Sequence, residues 1–482
     1  MRIGILTLPL HTNYGGILQA YALQTVLERM GHQVVVFDTP RKGWYIPLWK
    51  MPLIYGKRMF KRYLLGDKSC IVFREKKEKN EYPIICQHTR LFIDKYIHLK
   101  SIDNLCNLNS KDFDCIVVGS DQIWRPLYYV DIENAFLKFA ENWDIKRIAY
   151  AASFGTDKWE YTPEQTEECR RLVRLFDQVS VRESAGVEMC RKHFGIEAQL
   201  VLDPTMLLEA DDYLSLLKDK SHKDSGLLLS YVLDETDEKK EIISAIANGK
   251  GLKVSKIGAN ENNYKVSLEK RIKPSVEQWI RGFYDADFVV TDSFHACVFS
   301  ILFKKQFIVI GNEKRGVSRL KSLLSMFGLE SRLVSIRKRE IPQDIVYSEI
   351  SHAIARERNK TMSLYYLLLI WFIHALSKDF KHTLLVYLPI RIAMHQGIIL
   401  WPVNPTVMFD SVACFFIIFN YFFVQKSRKG GGKFPFAFPL VLFACSEFLS
   451  SFFASTSGNG MNFLQNIVVG ILFLYVVWNN IN

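Results

Sequence analysis

Paired cysteine is missing from this sequence. Its nine cysteines, at 70, 86, 106, 115, 169, 190, 297, 414 and 445, are odd in number and form no CxxC pair or histidine-spaced set. A disulfide framework and the usual zinc patterns are thereby excluded, and reduced core thiols with no metal site are expected. No recognised nucleic-acid-binding module accompanies the formal net charge of +12, which puts nucleic acid last among acidic partners. The amino end, Met-Arg-Ile-Gly-Ile-Leu-Thr-Leu, runs straight into a strand-like segment without the apolar region and cleavage site of a signal peptide, so the large domains are expected in the cytoplasm. Charge is scarce in one place only: residues 361–482 carry seven basic and three acidic residues.

What is present is core-forming. At 482 residues the chain exceeds one hydrophobic core and predicts two or three domains. With 49% hydrophobic and 13% aromatic residues, disorder and fibrous structure are excluded. The sparsely charged tail contains apolar runs at 406–424, 434–455 and 461–478, each about the 17 to 25 residues that cross a bilayer. A shorter run covers 362–376, while 383–400 carries Pro389, Arg391 and His395 and reads as interfacial. The loop 425–433, with four basic and no acidic residues, belongs on the cytoplasmic side. About four crossings result, with residues 1–360 on the cytoplasmic face of the membrane; buried amphipathic helices are the alternative reading of the weak runs. Asp410 and Glu447 are candidate intramembrane functional sites, with a structural role as the alternative.

The remainder alternates strand-like and helix-like segments. Candidate strands are 2–8, 33–39, 114–119, 147–154, 178–182, 198–203, 227–233, 252–258, 287–291 and 306–311, several of them continuous apolar runs such as Val34-Val35-Val36-Phe37. Strands of that kind are covered by helices on both faces, which spells α/β with mainly parallel sheets. Leu18, Ala22, Val26 and Met30 recur at helical spacing, and Gly31 follows as a stop. Thr162-Pro163-Glu164-Gln165 reads as a capping box opening a helix of about 163–176, which is expected to bridge two domains. The expected division is 1–177, 178–345, a linker 346–361 and an all-α transmembrane region 362–482. An insert at 41–100 holds 15 basic and 5 acidic residues, and within it 41–66 interleaves seven basic residues and no acid with Trp44, Tyr45, Trp49, Tyr55, Phe60 and Tyr63. That suits an anionic membrane surface or a lipid pyrophosphate, with a solvated basic face as the bland alternative.

Ligands of open α/β sheets bind beyond the carboxyl ends of the strands, so the residues just after each strand are the candidates. The turn Thr12-Asn13-Tyr14-Gly15-Gly16 fits both an anion-binding helix start and a plain turn, and it matches neither the GxGxxG nor the GxxxxGK[ST] loop. Gly119-Ser120-Asp121-Gln122 follows 114–119, and Arg182-Glu183 follows 178–182; a strand-end arginine grips a carboxylate or phosphate, or forms an interdomain salt bridge. Thr291-Asp292-Ser293-Phe294-His295 opens a helix that Asp292 or Ser293 is placed to cap. His295 falls in its first turn, where the dipole disfavours an imidazolium unless an anion sits opposite. A packed core histidine is the competing reading.

Taken in order, Asn13-Tyr14-Gly15-Gly16-Ile17-Leu18-Gln19-Ala20-Tyr21-Ala22-Leu23, then Phe113 to Trp124, Val181-Arg182-Glu183-Ser184, Asp203-Pro204-Thr205 and Thr291 to Ala296 resemble the polysaccharide pyruvyl transferase family over about 1–335. The resemblance implies two Rossmann-like domains in a GT-B-like arrangement. It also implies transfer of pyruvate from phosphoenolpyruvate, a donor substrate with no further cofactor, to two hydroxyls of a sugar in a surface polysaccharide or its lipid-linked precursor. On that reading His295 is the acid, and Arg182 holds the donor. Many members carry arginine where this chain has Ser293, so Arg315 and Arg319 are candidates for the missing donor charge. Asn13, Gly15, Gly16, Ser120 and Asp121 would meet the acceptor or an anion. The rival expectations are a nucleotide-sugar glycosyltransferase on the same scaffold, and a non-catalytic membrane-tethered scaffold among polysaccharide assembly proteins.

Overall fold

The computed structural model describes residues 1–363 apart from 40–47, 68–69, 220, 222–225, 260, 262, 265, 313–315 and 336–341. The expected transmembrane region, with Asp410 and Glu447, lies outside the described residues beyond Ser363. Among the described residues no helix is long and apolar enough to cross a membrane.

Seven strands form the first sheet: β1 (Arg2–Leu6), β2 (Gln33–Asp38), β3 (Leu99–Ser101), β4 (Cys115–Val118), β5 (Lys146–Ala152), β6 (Gln178–Val181) and β7 (Gln199–Leu200). Their order is β3-β2-β1-β4-β5-β6-β7 and every pairing is parallel. The second sheet holds β8 (Leu227–Tyr231), β9 (Lys253–Lys256), β10 (Phe288–Thr291), β11 (Gln306–Ile310) and β12 (Leu333–Val334), ordered β12-β11-β10-β8-β9 and again parallel throughout. All ten expected strands are present. The two extra ones, β3 and β12, are three and two residues long and polar or edge-bound, too short to leave a periodic signal.

Strand alternation assigns residues to cores. Ile3 and Ile5 of β1 and Val289 of β10 point into one continuous cluster shared by both sheets. Leu6, Ile116 and Val118 face a second cluster on the other side of the first sheet. Leu228, Phe288, Val290 and Ile308 face a third on the far side of the second sheet. Burial on both faces is why these strands read as unbroken apolar runs rather than as alternations.

The expected boundary at 178 is corrected by the pairing. β6 pairs with β5 and β7 with β6, so both belong to the first sheet and the division between sheets falls between Leu200 and Leu227. The helix Pro163–Val173 does begin with the expected capping box, Gln165 N donating to Thr162 Oγ1 at 3.2 Å and Thr162 N to Gln165 Oε1 at 3.0 Å. It is the ordinary crossover between β5 and β6, not a bridge between domains. The basic, aromatic segment lies in the connection between β2 and β3. The helix Tyr14–Arg29 buries Leu18, Ala22 and Val26 as expected, and Gly31 follows it with φ of 82°.

The strand order reverses between β1 and β4 in the first sheet and between β8 and β10 in the second. At such a switch point the two flanking crossovers leave on opposite faces and open a crevice above the strand ends. Three of the four expected candidate segments stand at these two places.

Candidate active site

At the first switch point Asp121 follows β4, with its backbone in the left-handed region at φ 56°. Its carboxylate accepts from Arg182 Nη2 at 2.9 Å and from Asn13 Nδ2 at 3.3 Å, so the turn after β1 and the turn after β4 are tied together. Arg182, at the end of β6, also donates from Nη1 to Asp203 Oδ2 at 2.6 Å. Its side chain has 0% exposure and Glu183 Oε2 stands 4.0 Å from Nε. A buried guanidinium costs heavily unless paired, and here carboxylates supply the pairing. Arg182 is therefore closed off from the crevice, its fork engaged by protein carboxylates rather than offered to a ligand.

Asp203 is the hub. Besides Arg182 it accepts from Thr205 N at 3.0 Å and Thr205 Oγ1 at 2.6 Å, both on Oδ1. Ser120 Oγ lies 3.1 Å from its Oδ2 and 3.1 Å from Ala151 O, while Ser120 N donates to Gln19 Oε1 at 2.9 Å. Burial pushes the Asp203 carboxyl up, but the proximity of His295, with the charge of Arg182 and the bond from Thr205, outweighs it and holds the group well below the ordinary carboxylate range. Asp121 is likewise held down, burial being overcome by Arg182 and His295. Glu183 goes the other way: burial raises it despite Arg182, Arg319 and the bonds it accepts from Ser153 Oγ and Gly155 N.

From the second sheet His295 reaches this hub. The helix after β10 runs Phe294–Leu302 and places His295 Nε2 3.7 Å from Asp203 Oδ2. The carboxylate that the helix dipole requires opposite an imidazolium is thus present. A Cβ on Gly15 would collide with His295 Nδ1, so the first turn of the helix Tyr14–Arg29 approaches the ring as only glycine permits. His295 Nε2 is buried without a hydrogen-bond partner, a state that a packed core histidine seldom shows.

Neither expected cap forms. Ser293 occupies the N-cap position without a side-chain bond, its own N–H donating to Thr291 Oγ1 at 3.0 Å. Asp292 turns to the second switch point instead, accepting from Leu233 N at 2.7 Å and from Lys239 Nζ at 2.7 Å, with Asn312 Nδ2 at 3.3 Å. Phe294 fills the space between the sheets: the Arg182 guanidinium lies 4.6 Å from its ring centroid and that of Arg319 5.8 Å. Arg319, in the helix Ser318–Met326, is buried. Burial first, and Arg182 second, lower it from its ordinary value to about 10. Arg315 lies outside the described residues.

The structure thus gathers Asn13, Gly15, Gly16, Ser120, Asp121, Arg182, Ser293, His295 and Arg319 where the carboxyl ends of the two parallel sheets meet. Ser120 is fully buried and serves the Asp203 hub from behind. Asp203 stands in the Asp203-Pro204-Thr205 motif with no role of its own in the sequence; its place at the end of the strand-like run 198–203 is the available signal. Gln19 and Lys239 left none, being single polar residues in helices.

A model of the polysaccharide pyruvyl transferase family matches residues 13–314. This chain belongs to that family. It is accordingly a transferase of polysaccharide biosynthesis, and the matched span contains every residue of the crevice except Arg319. No curated protein matches the chain. Among solved structures, a UDP-GlcNAc 2-epimerase from Neisseria meningitidis bound to UDP-GlcNAc overlaps at 11% identity and TM-score 0.36, over 75% of this chain and 100% of the other. An E. coli heptosyltransferase with ADP overlaps at 12% identity and TM-score 0.32, over 74% and 100%. The S. aureus MnaA structure with UDP overlaps at 13% identity and TM-score 0.36, over 77% and 98%. Overlaps this loose add nothing to the fold that the two parallel sheets already define.

Proposed function

We propose that this transferase moves pyruvate from phosphoenolpyruvate to two hydroxyls of a sugar in a bacterial surface polysaccharide or its lipid-linked precursor, forming a cyclic ketal. One observation carries the reading: His295 Nε2 stands unbonded at the meeting of the two strand-end crevices, 3.7 Å from the buried carboxylate of Asp203. The chemistry requires a proton at the methylene carbon of the enol, which leaves the adjacent carbon electrophilic. One sugar hydroxyl then adds to that carbon, and phosphate departs as the second hydroxyl closes the ring. Of the two protons the hydroxyls lose, one makes good the proton delivered to carbon and the other leaves with the phosphate. A histidine fits the first step because an imidazolium can hand a proton to carbon, and the Asp203 carboxylate stands opposite the ring at 3.7 Å.

Donor binding is assigned to Arg319 rather than Arg182. Arg182 has its fork taken by Asp203 and Asp121, and its part is to fix those two carboxylates. Burial and Arg182 oppose the Arg319 charge while Glu183 and Asp121 favour it, and an arriving phosphate or carboxylate would add to the second pair. Asn13 and Asp121, held together at 3.3 Å, are assigned to the acceptor side. Supplying the full chain with phosphoenolpyruvate and an oligosaccharide acceptor tests the reading. Phosphate release with a ketal on the acceptor supports it; turnover of a nucleotide sugar with release of a nucleoside diphosphate would overturn it.

A further inference from the structure

The segment after residue 47 is the least protein-like part of the described chain. Residues Leu48–Lys50, Met51–Met59 and Phe60–Leu64 are helical in succession, and within 51–64 no residue is buried. A helix with no buried residue usually displays a polar surface. This one displays the reverse: Trp49 is 76% exposed, Leu53 77%, Phe60 52% and Leu64 73%. At about 100° per residue these four fall within roughly 60° of one another, and the wider last turn keeps Leu64 on the same side. Met59 and Tyr63, also exposed, widen the strip. The opposite side faces the protein, where Arg58 donates to Val72 O at 3.1 Å and Arg62 to Cys70 O at 2.9 Å. The apolar strip is therefore the outward face of a docked helix.

Charge decides what the strip meets. Lys50, Lys57 and Lys61 are exposed and lie about 20 to 60° beyond its edge, on one side of the helix. No acidic residue occurs between 41 and 66. Solvent-facing Trp, Leu and Phe beside a lysine row is the composition of a helix lying in a bilayer interface, rings at headgroup depth and ammonium groups against anionic lipid. A contact with another protein would not call for basic residues alone. The same chain also carries the tail at 361–482, with ten charged residues in 122.

We propose that the helix of residues 48–64 is a second membrane contact: it lies in the interface of an anionic bilayer with Trp49, Leu53, Phe60 and Leu64 among the headgroups. The inference is independent of the donor and acceptor chemistry. Its effect is to hold the first α/β domain against the lipid surface.

The test uses the full chain in nanodiscs containing phosphatidylglycerol and brominated phosphatidylcholine. The fluorescence difference between the wild-type chain and Trp49→Phe isolates Trp49. Quenching of that component by bromolipid is expected, weakened in purely zwitterionic discs and at high salt. Since each lysine near an anionic surface contributes roughly a fivefold factor, Lys50→Gln, Lys57→Gln and Lys61→Gln together should lower occupancy of the docked state on the order of a hundredfold. Three results overturn the proposal: no bromolipid quenching of Trp49 in anionic discs; shielding of Trp49 that rises with protein concentration, which marks a second copy on the strip; or equal shielding in lipid-free detergent, which marks the chain's own tail. Folding of each variant is checked by its far-ultraviolet circular dichroism.

Discussion

A histidine in the first turn of a helix faces the positive end of that helix, and it becomes a useful acid only where something nearby prefers its charged form. Asp203 stands 3.7 Å from His295, its own charge secured by Arg182 and Thr205. The order of dependence gives three residue-scale predictions. Gly15→Ala introduces a methyl where the imidazole edge lies, so the ring must move. Displacement of that size costs about 10²-fold in kcat, while melting temperature holds because alanine is the better helix former. Arg319→Gln is expected to raise KM for phosphoenolpyruvate roughly ten- to a hundredfold, the worth of a charge-assisted hydrogen bond, with a smaller change in kcat; an unchanged KM would remove Arg319 from the donor site. Asp203→Asn removes a carboxylate held below its unfolded value. Stability from such a group is fully present above about pH 4 and is lost as pH falls through the depressed folded value. The variant should therefore melt well below the wild type at pH 7, and the gap should narrow on acidification. A constant gap from pH 7 to 3 contradicts the assignment.

Elements place these groups, and what the sequence shows of them follows from burial. Continuous apolar strands such as β2 and β11 were legible because both faces are covered, and the Thr162 capping box because its two bonds lie three residues apart. The strand-end positions of Asn13, Asp121 and His295 were legible because each follows an apolar run that forms a strand. Two kinds of information were not. Strand pairing is non-local, so β6 was assigned to the wrong domain. A side chain's direction is also invisible in sequence: Arg182 stands where a ligand clamp would stand, yet turns to Asp203 and Asp121. Asp292 repeats the lesson, being placed to cap a helix but accepting from Lys239 across the second switch point instead. That pair is buried, with side-chain exposures of 5% and 0%. Lys239→Met strands the Asp292 carboxylate, and a loss of about 3–5 kcal/mol in stability is expected from chemical denaturation. Because the Asp292 loop leads directly into His295, kcat should fall as well. Full stability in Lys239→Met would show the pair to be dispensable.

At the scale of the molecule, the net charge of +12 is a matter of location rather than amount. Residues 41–100 carry a net +10, leaving only +2 for all the others. The excess sits in the connection between β2 and β3, whose Tyr82 packs on His11 in the turn after β1. The proposed catalysis and the proposed surface attachment use different parts of the chain, so variants of the 48–64 helix and of the crevice should have separable effects. The central claim concerns the crevice. It is tested most directly by phosphate release from phosphoenolpyruvate, with an oligosaccharide acceptor, in the full-length wild type and in His295→Asn. The account predicts acceptor-dependent release with a ketal formed on the sugar, and a drop in kcat of about 10²- to 10⁴-fold in a variant that remains folded, as befits removal of a general acid. Equal release by a folded His295→Asn would contradict it.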